Sequence, residues 1–254
     1  MGVARHGTRP LSPMLWTVVG ILWPSLMATT KRDWHGTANL RRSYPPHDGV
    51  VIAANHLSWF DPLSLCHVLW DNGRTPRILA KDSLFSVPVL GQVLSGAGQI
   101  PVARATEDAA AAVAAAVAAV NDGEAVVLYP EGTITRDGDL WPMTGRTGAA
   151  RIALTSGAPV IPLAQWGPQD VMWPYRKQLR LFPRKTMHVL VGEPVDLDDL
   201  RGRPLTADVL EEATGRIIDA ITSQLAELRG EQAPAQRLDF KTWKASIDQQ
   251  KEQS

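Results

Sequence analysis

The chain has 254 residues, 44% hydrophobic and 20% charged, which is enough apolar material for one sizeable α/β core or two small ones. Lysine plus arginine balances aspartate plus glutamate at 26 each, which argues against a dedicated nucleic-acid binder while leaving room for local basic patches. A single cysteine, Cys66, excludes an intrachain disulfide and any multi-cysteine metal site, reads as a small buried apolar residue, and suits a reducing, intracellular setting.

The first feature along the chain is Leu11 to Ala28 (LSPMLWTVVGILWPSLMA), an uncharged stretch bracketed by Arg5 and Arg9 before it and Lys31, Arg32 and Asp33 after it. Its length is close to the lower limit for a spanning helix, which needs about 20 residues. Pro24 interrupts it, and Trp16 and Trp23 are placed to sit at an interface. A cleaved signal peptide is disfavoured because no small-residue cleavage site follows. A spanning helix and a helix packed on the domain's own core stay open. The broken pattern best fits a helix half-sunk in one leaflet. Residues 1–40 are therefore expected to be a membrane-associating segment, peripheral or monotopic, on the cytoplasmic face of a cell membrane.

Beyond a polar link, Val50–Ala54 (VVIAA) is a short apolar run of buried-strand type. Asp61–Trp70 reads as a helix, with Pro62 tolerated in its first turn. Arg77–Ala80 and Gln99–Ala103 are further strand candidates. Thr106 can cap an alanine-rich helix that Asn121-Asp122-Gly123 stops. Ala125–Tyr129 (AVVLY) is a second buried-strand run, followed by a loop and a helix from about Arg146 to Thr155. Val160–Ala164 and Met187–Val191 complete the strands. Thr206 can cap a last helix whose stripe is Val209, Ala213, Ile217, Ile221, Leu225 and Leu228. The alternation predicts an α/β fold: a single domain over 41–230 with a central mixed, mostly parallel sheet flanked by helices, then a polar C-terminal tail or surface helix over 231–254.

Asn55-His56-Leu57-Ser58-Trp59-Phe60-Asp61 leaves the first buried strand directly. On a continuous helix His56 and Asp61 would lie about 140° apart and could not meet. A strand that turns and then enters a helix at Asp61 can fold the carboxylate back onto one imidazole nitrogen and leave the other free as a base. The spacing alone is weak evidence, since His56 could equally be a helix-entry or core residue. Three later blocks give it context. Gly98 to Arg104 (GQIPVAR) puts Arg104 just past a strand, where a guanidinium can meet phosphate. Tyr129-Pro130-Glu131-Gly132-Thr133 sets a carboxylate and a hydroxyl at a strand's carboxyl end, the edge where open α/β sheets bind ligands. Ala158 to Leu163 (APVIPL) is apolar and suited to walling an acyl channel.

In order and spacing these blocks resemble the glycerolipid acyltransferases, specifically the 1-acylglycerol-3-phosphate acyltransferases of PlsC type, over about Val50 to Gly167. The resemblance implies an O-acyltransferase that carries a fatty acyl group from acyl-CoA or acyl carrier protein to a lysophospholipid hydroxyl, most plainly 1-acylglycerol-3-phosphate to phosphatidic acid. It implies His56 as base oriented by Asp61, Arg104 on the acceptor phosphate, and Glu131 and Gly132 shaping the glycerol-phosphate site with Thr133. Lys81 and Gly91 resemble the family's lysine-containing segment. Family members often read Glu-Gly-Thr-Arg in the third block, but here Ile134 and Thr135 intervene before Arg136. Arg136 is expected to substitute, with Arg146 compensating where the family commonly has lysine. The departure keeps other acceptors open (a glycolipid, an aminolipid or glycerol-3-phosphate), as well as a non-catalytic lipid binder. Backbone amides of the His56 turn are expected to stabilise the oxyanion. Ser58 reads as a turn residue. Neither a metal nor a cofactor is expected, because His6, His35, His47, His67 and His188 show no ligand spacing. The partners implied are membrane lipids, acyl-CoA and the lysophospholipid. The basic run Tyr175–Lys185 reads either as a solvated hairpin face or as a contact for anionic headgroups or CoA phosphates.

Overall fold

Strands such as VVIAA, with no polar residue on either face, are stable only when both faces are covered. Their connections place helices on the two sides. The computed structural model describes residues 12–42, 44, 48–102 and 106–252. The elements in chain order are α1 (Pro13–Thr29), β1 (Thr30–His35), α2 (Ala38–Arg41), β2 (Val50–Ala54), α3 (Asp61–Asp71), β3 (Pro76–Lys81), α4 (Leu90–Gly96), β4 (Ile100–Val102) and α5 (Thr106–Asn121). After them come β5 (Ala125–Leu128), α6 (Gly148–Ser156), β6 (Val160–Trp166), α7 (Pro168–Val171), β7 (Lys185–Val191), α8 (Ala207–Arg229) and α9 (Phe240–Glu252).

The described strands form one sheet in the order β1-β7-β6-β2-β5-β3-β4. β6, β2, β5, β3 and β4 run parallel, β7 is antiparallel to β6, and β1 pairs parallel with β7. Along β2 the period-two rule divides the core. Val51 and Ala53 pack with side chains of α5, α6 and α8, whereas Val50, Ile52 and Ala54 pack with Leu65, Val68 and Leu69 of α3. The alanines of α5 let it lie close to the sheet. At its end Val120 leaves no room for a side chain at Gly49, where a Cβ would sit 1.8 Å from the Val120 carbonyl oxygen.

The mixed, mostly parallel sheet agrees with expectation, but one boundary needs correction. β1 pairs with β7 over Thr30–His35, so the α/β unit begins at Thr30 rather than at residue 41. Its sequence, TKRDWH, offers no apolar alternation because it is an edge strand, half exposed. At the other end the surface helix expected beyond residue 231 is α9, and the chain leading to it is tied to the domain where Leu238 accepts from the Thr144 amide at 3.0 Å.

Ser12 caps α1, accepting from the Leu15 amide at 3.1 Å, and its hydroxyl donates to the Gly96 carbonyl of α4 at 2.5 Å. Leu15 and Leu26 face the domain, while Met14, Trp16, Ile21, Trp23 and Met27 are exposed. A polar knot fixes the helix's other end. The Trp23 indole donates to Asp71 at 2.6 Å, Arg32 pairs with the same carboxylate at 2.6 Å, and Arg32 also donates to Nε2 of buried His67 at 2.9 Å. Burial and then the nearby Arg32 charge push His67 down to about 4 from its ordinary 6.5. Between these values the unfolded chain binds the proton and the folded chain does not, so stability is lost as pH falls through the window. The stability difference between wild type and His67→Gln, measured by urea unfolding, is expected to be larger at pH 7 than at pH 4.5. Equal differences at the two pH values would remove His67 as the acid-labile group.

Candidate active site

β2 is the middle strand, and the chain leaves it at a point where neighbours on both sides take hold of it. The Asn55 side chain donates to the Gln165 carbonyl at 3.0 Å and accepts from the Gln165 amide at 2.8 Å, fastening the end of β2 to β6. On the β5 side, Glu131 Oε1 accepts from the His56 amide at 3.0 Å and the Thr135 amide donates to the His56 carbonyl at 2.8 Å. The backbone of His56 is thereby held on both its polar groups by the loop that follows β5.

The imidazole is set by Asp61. Nδ1 of His56 lies 2.7 Å from Asp61 Oδ2, and the same oxygen accepts from the amides of Leu57 at 2.6 Å and Ser58 at 2.8 Å. The chain closes this turn because Asp61 opens α3 with Pro62 behind it, and Ser58 ties the loop through its hydroxyl to the Met172 carbonyl. Asp61 is fully buried; burial raises its carboxyl, against the pull of His56 and the two amides. With Nδ1 as the donor, Nε2 of the neutral ring carries a lone pair, and it has no hydrogen-bond partner among the described residues. The ring of Tyr129 stacks on the imidazole with centroids 4.0 Å apart and planes 15° apart.

Three further groups in reach of the turn are excluded from the chemistry. Burial pushes the Cys66 thiol up to about 12. The Ser58 hydroxyl is spent on Met172. The amides of His56, Leu57 and Ser58 all end on carboxylates, which removes these three as oxyanion donors.

The remaining candidates divide. Glu131 is buried, and its two oxygens accept from His56 and, at 3.0 Å, from Met143, so it braces the loop instead of facing a ligand. Burial pushes its carboxyl up to about 8, with the two amides pulling the other way. Gly132 has φ +70°, and a Cβ there would lie 2.8 Å from the Arg146 side chain, so the glycine makes room for that exposed arginine to lie across the loop. Thr133, half-buried, follows it. Arg136 is drawn between Tyr175 and Trp243, with its guanidinium carbon 3.5 Å and 5.0 Å from the ring centres. Exposed Lys81 ends β3 opposite Val102 of β4, on the same sheet edge as His56, while Gly91 is buried against the Phe85 carbonyl. Arg104 lies outside the described residues. Sequence reasoning missed Tyr129 as a ring partner, the Asn55–Gln165 clasp, and Trp243. The only signal for the first was its place at the end of a strand adjacent to β2.

A buried carboxylate that orients an imidazole, with the second nitrogen open at the carboxyl edge of a parallel sheet, has the geometry in which an imidazole can take a proton from a hydroxyl. The model of the Acyltransferase family matches residues 31–166, more than half of the chain, and the chain belongs to that family. It is 30% identical over 154 residues to a chloroplastic 1-acyl-sn-glycerol-3-phosphate acyltransferase of Brassica napus, covering 59% of this chain and 42% of that protein. It is 26% identical over 191 residues to a 1-acyl-sn-glycerol-3-phosphate acyltransferase of Bacillus subtilis, covering 74% of this chain and 85% of that one. The chain thus spans less than half of the plant relative and most of the bacterial one. The fold resembles the crystal structure of PlsC from Thermotoga maritima with a TM-score of 0.63 at 18% identity, over 87% of this chain and 81% of that chain.

The stacked Tyr129 ring gives a protonated His56 a π face, an interaction of about 0.5–2 kcal/mol. Tyr129→Phe is therefore expected to keep the turnover number, and Tyr129→Leu to lower it by roughly threefold to tenfold. Initial-rate kinetics on both variants check this, and equal rates for Leu and Phe would show that the ring contributes only volume.

Proposed function

We propose that this chain transfers a fatty acyl group from acyl-CoA or acyl carrier protein to the free hydroxyl of a lysophospholipid, 1-acylglycerol-3-phosphate, yielding phosphatidic acid. The observation that carries the reading is the imidazole of His56, held through Nδ1 by Asp61 and open at Nε2. Nε2 takes the hydroxyl proton as the acceptor oxygen bonds to the thioester carbonyl. The carbon–sulfur bond then breaks, and His56 returns the proton to the departing thiolate, leaving an ester and a free thiol. The Asp61 carboxylate favours the imidazolium formed midway. No covalent acyl-enzyme is needed, in keeping with the engagement of Ser58 and the raised pKa of Cys66. Lys81, Arg136 and Arg146 supply positive charge for the acceptor phosphate, and the family resemblance adds Arg104 to them by its place in the sequence. The Brassica and Bacillus relatives, both 1-acyl-sn-glycerol-3-phosphate acyltransferases, support the choice of acceptor. The two residues that separate Thr133 from Arg136 favour a second reading, the same transfer to a different lipid hydroxyl.

His56→Ala is expected to lower thiol release from palmitoyl-CoA by about a thousandfold, and Asp61→Asn by about a hundredfold, within the usual range for loss of a positioned base. A lysolipid panel in the same assay separates lysophosphatidate from glycolipid and aminolipid acceptors. Turnover that survives both substitutions sinks the assignment.

The apolar face of α1 supports in-plane attachment to the cytoplasmic face of a membrane. Trp16 and Ile21 are more than half exposed there, Leu84, Val87, Val89 and Leu90 are exposed on the chain leading into α4, and Arg184 ties the end of α1 to the basic segment by donating to the Met27 carbonyl at 2.9 Å. Among the described residues no helix is long and apolar enough to cross a membrane. Trp16→Ser with Ile21→Ser is expected to cut cosedimentation with lipid vesicles by about tenfold, each residue adding roughly a kilocalorie or more of buried apolar area. Unchanged cosedimentation would place the attachment elsewhere.

A further inference from the structure

Two arginines of this chain are sandwiched by aromatic rings, and the state of their edges separates them. The guanidinium carbon of Arg229, at the end of α8, lies 4.1 Å from the Trp141 ring centre and 4.4 Å from that of Trp166. Both of its terminal nitrogens are engaged, one donating to the Asp139 carbonyl at 2.7 Å and the other pairing with Glu231, while its Nε is buried without a partner. Arg229 is a rivet. Arg136 is held in the same way by Tyr175 and Trp243, but among the described residues nothing accepts from its guanidinium, and its Nε is buried without a partner. Stacking occupies the two faces of a planar cation and leaves its rim of N–H groups free. That rim matches the paired oxygens of a phosphate.

The walls of this sandwich are anchored to the catalytic turn. The Tyr175 hydroxyl donates to the Ile134 carbonyl, and its ring meets the edge of Trp59, between His56 and Asp61, at 6.3 Å. Trp243 arrives from the C-terminal helix. Leu238 accepts from the Thr144 amide at 3.0 Å, Asp239 accepts from the Thr144 hydroxyl at 3.0 Å and caps α9 at the Thr242 amide at 2.8 Å, and Arg237 pairs with Asp219 of α8. Phe240 stacks behind Trp243 at 5.8 Å. Arg136 itself sits one residue past Thr135, whose amide holds the His56 carbonyl.

We propose that Trp243 is a positioning residue for the acceptor: with Tyr175 it holds the Arg136 guanidinium edge-on to the phosphate of the lysophospholipid, so that α9 completes the acceptor site. This rests on the acyl-transfer reading above for the identity of the lipid, and on the free guanidinium rim for the anion. An arginine fixed in this way loses less freedom on binding than one on an open loop, and its loop is tied to the His56 backbone through the Thr135 amide.

The test compares equilibrium binding of 1-oleoyl lysophosphatidate, monooleoylglycerol and CoA, the lipids in one detergent, to the full chain and its variants. Trp243→Ala is expected to weaken lysophosphatidate about tenfold and the phosphate-free lipid and CoA less than twofold, with Trp243→Phe recovering most of the loss. Adding Trp243→Ala to Arg136→Ala is expected to cost nothing further, because both act on one contact. Equal losses for the two lipids, no loss at all, full additivity with Arg136→Ala, or a loss confined to CoA would each overturn the proposal. Wild-type turnover of lysophosphatidate without these differences rejects the role of Trp243 alone. The differences without turnover reject acyl transfer and leave the anion site standing.

Discussion

One oxygen, Oδ2 of Asp61, organises the centre of this molecule. It takes three donors, the imidazole Nδ1 of His56 and the amides of Leu57 and Ser58, in a place with no access to water. A buried carboxylate is costly unless hydrogen bonds compensate it, and here they all fall on Oδ2, from the imidazole and from the peptide units whose turn brings His56 within reach, while Oδ1 has no partner among the described residues. Tautomer, ring orientation and turn geometry are therefore one constraint. Displacing the carboxylate would release both the loop and the imidazole.

The second constraint comes from the sheet. His56 is aligned by side chain from α3 and by backbone from the loop after β5, and Glu131 and Thr135 grip opposite sides of its peptide. Such a grip needs β2 and β5 to be adjacent and parallel, so that both chains emerge at the same edge. The Asn55–Gln165 clasp secures the other neighbour, β6. Glu131 thus acts through backbone geometry, which differs from a carboxylate presented to a ligand and explains why its environment can be so dry.

Around this rigid centre lie groups with a free side. The exposed tryptophans and aliphatic residues of α1, the basic segment reaching Arg184 and the ring-held Arg136 surround it on elements joined by specific hydrogen bonds. The molecule offers unlike surfaces, apolar on α1 and cationic at Arg136 and the basic segment, which suits the lysophospholipid proposed above.

Local pattern carried the strand–helix alternation, the central strands β2 and β5, the turn at Ser58, the cap at Thr206, and the pairing of His56 with Asp61. Each of these is written in runs of apolar residues or in a short loop whose ends are close along the chain. It did not show β1, whose edge position leaves no apolar alternation, or that α9 returns to the third block, since residues about a hundred positions apart meet only after folding. Tertiary structure alone decided which groups are spent and which stay free. It committed the amides of His56, Leu57 and Ser58 and both oxygens of Glu131 to internal bonds, laid Tyr129 against the imidazole, and left the rim of Arg136 open. The physical reason is that a polar group's role depends on whether its hydrogen-bonding capacity is consumed, and that is set by neighbours distant in sequence.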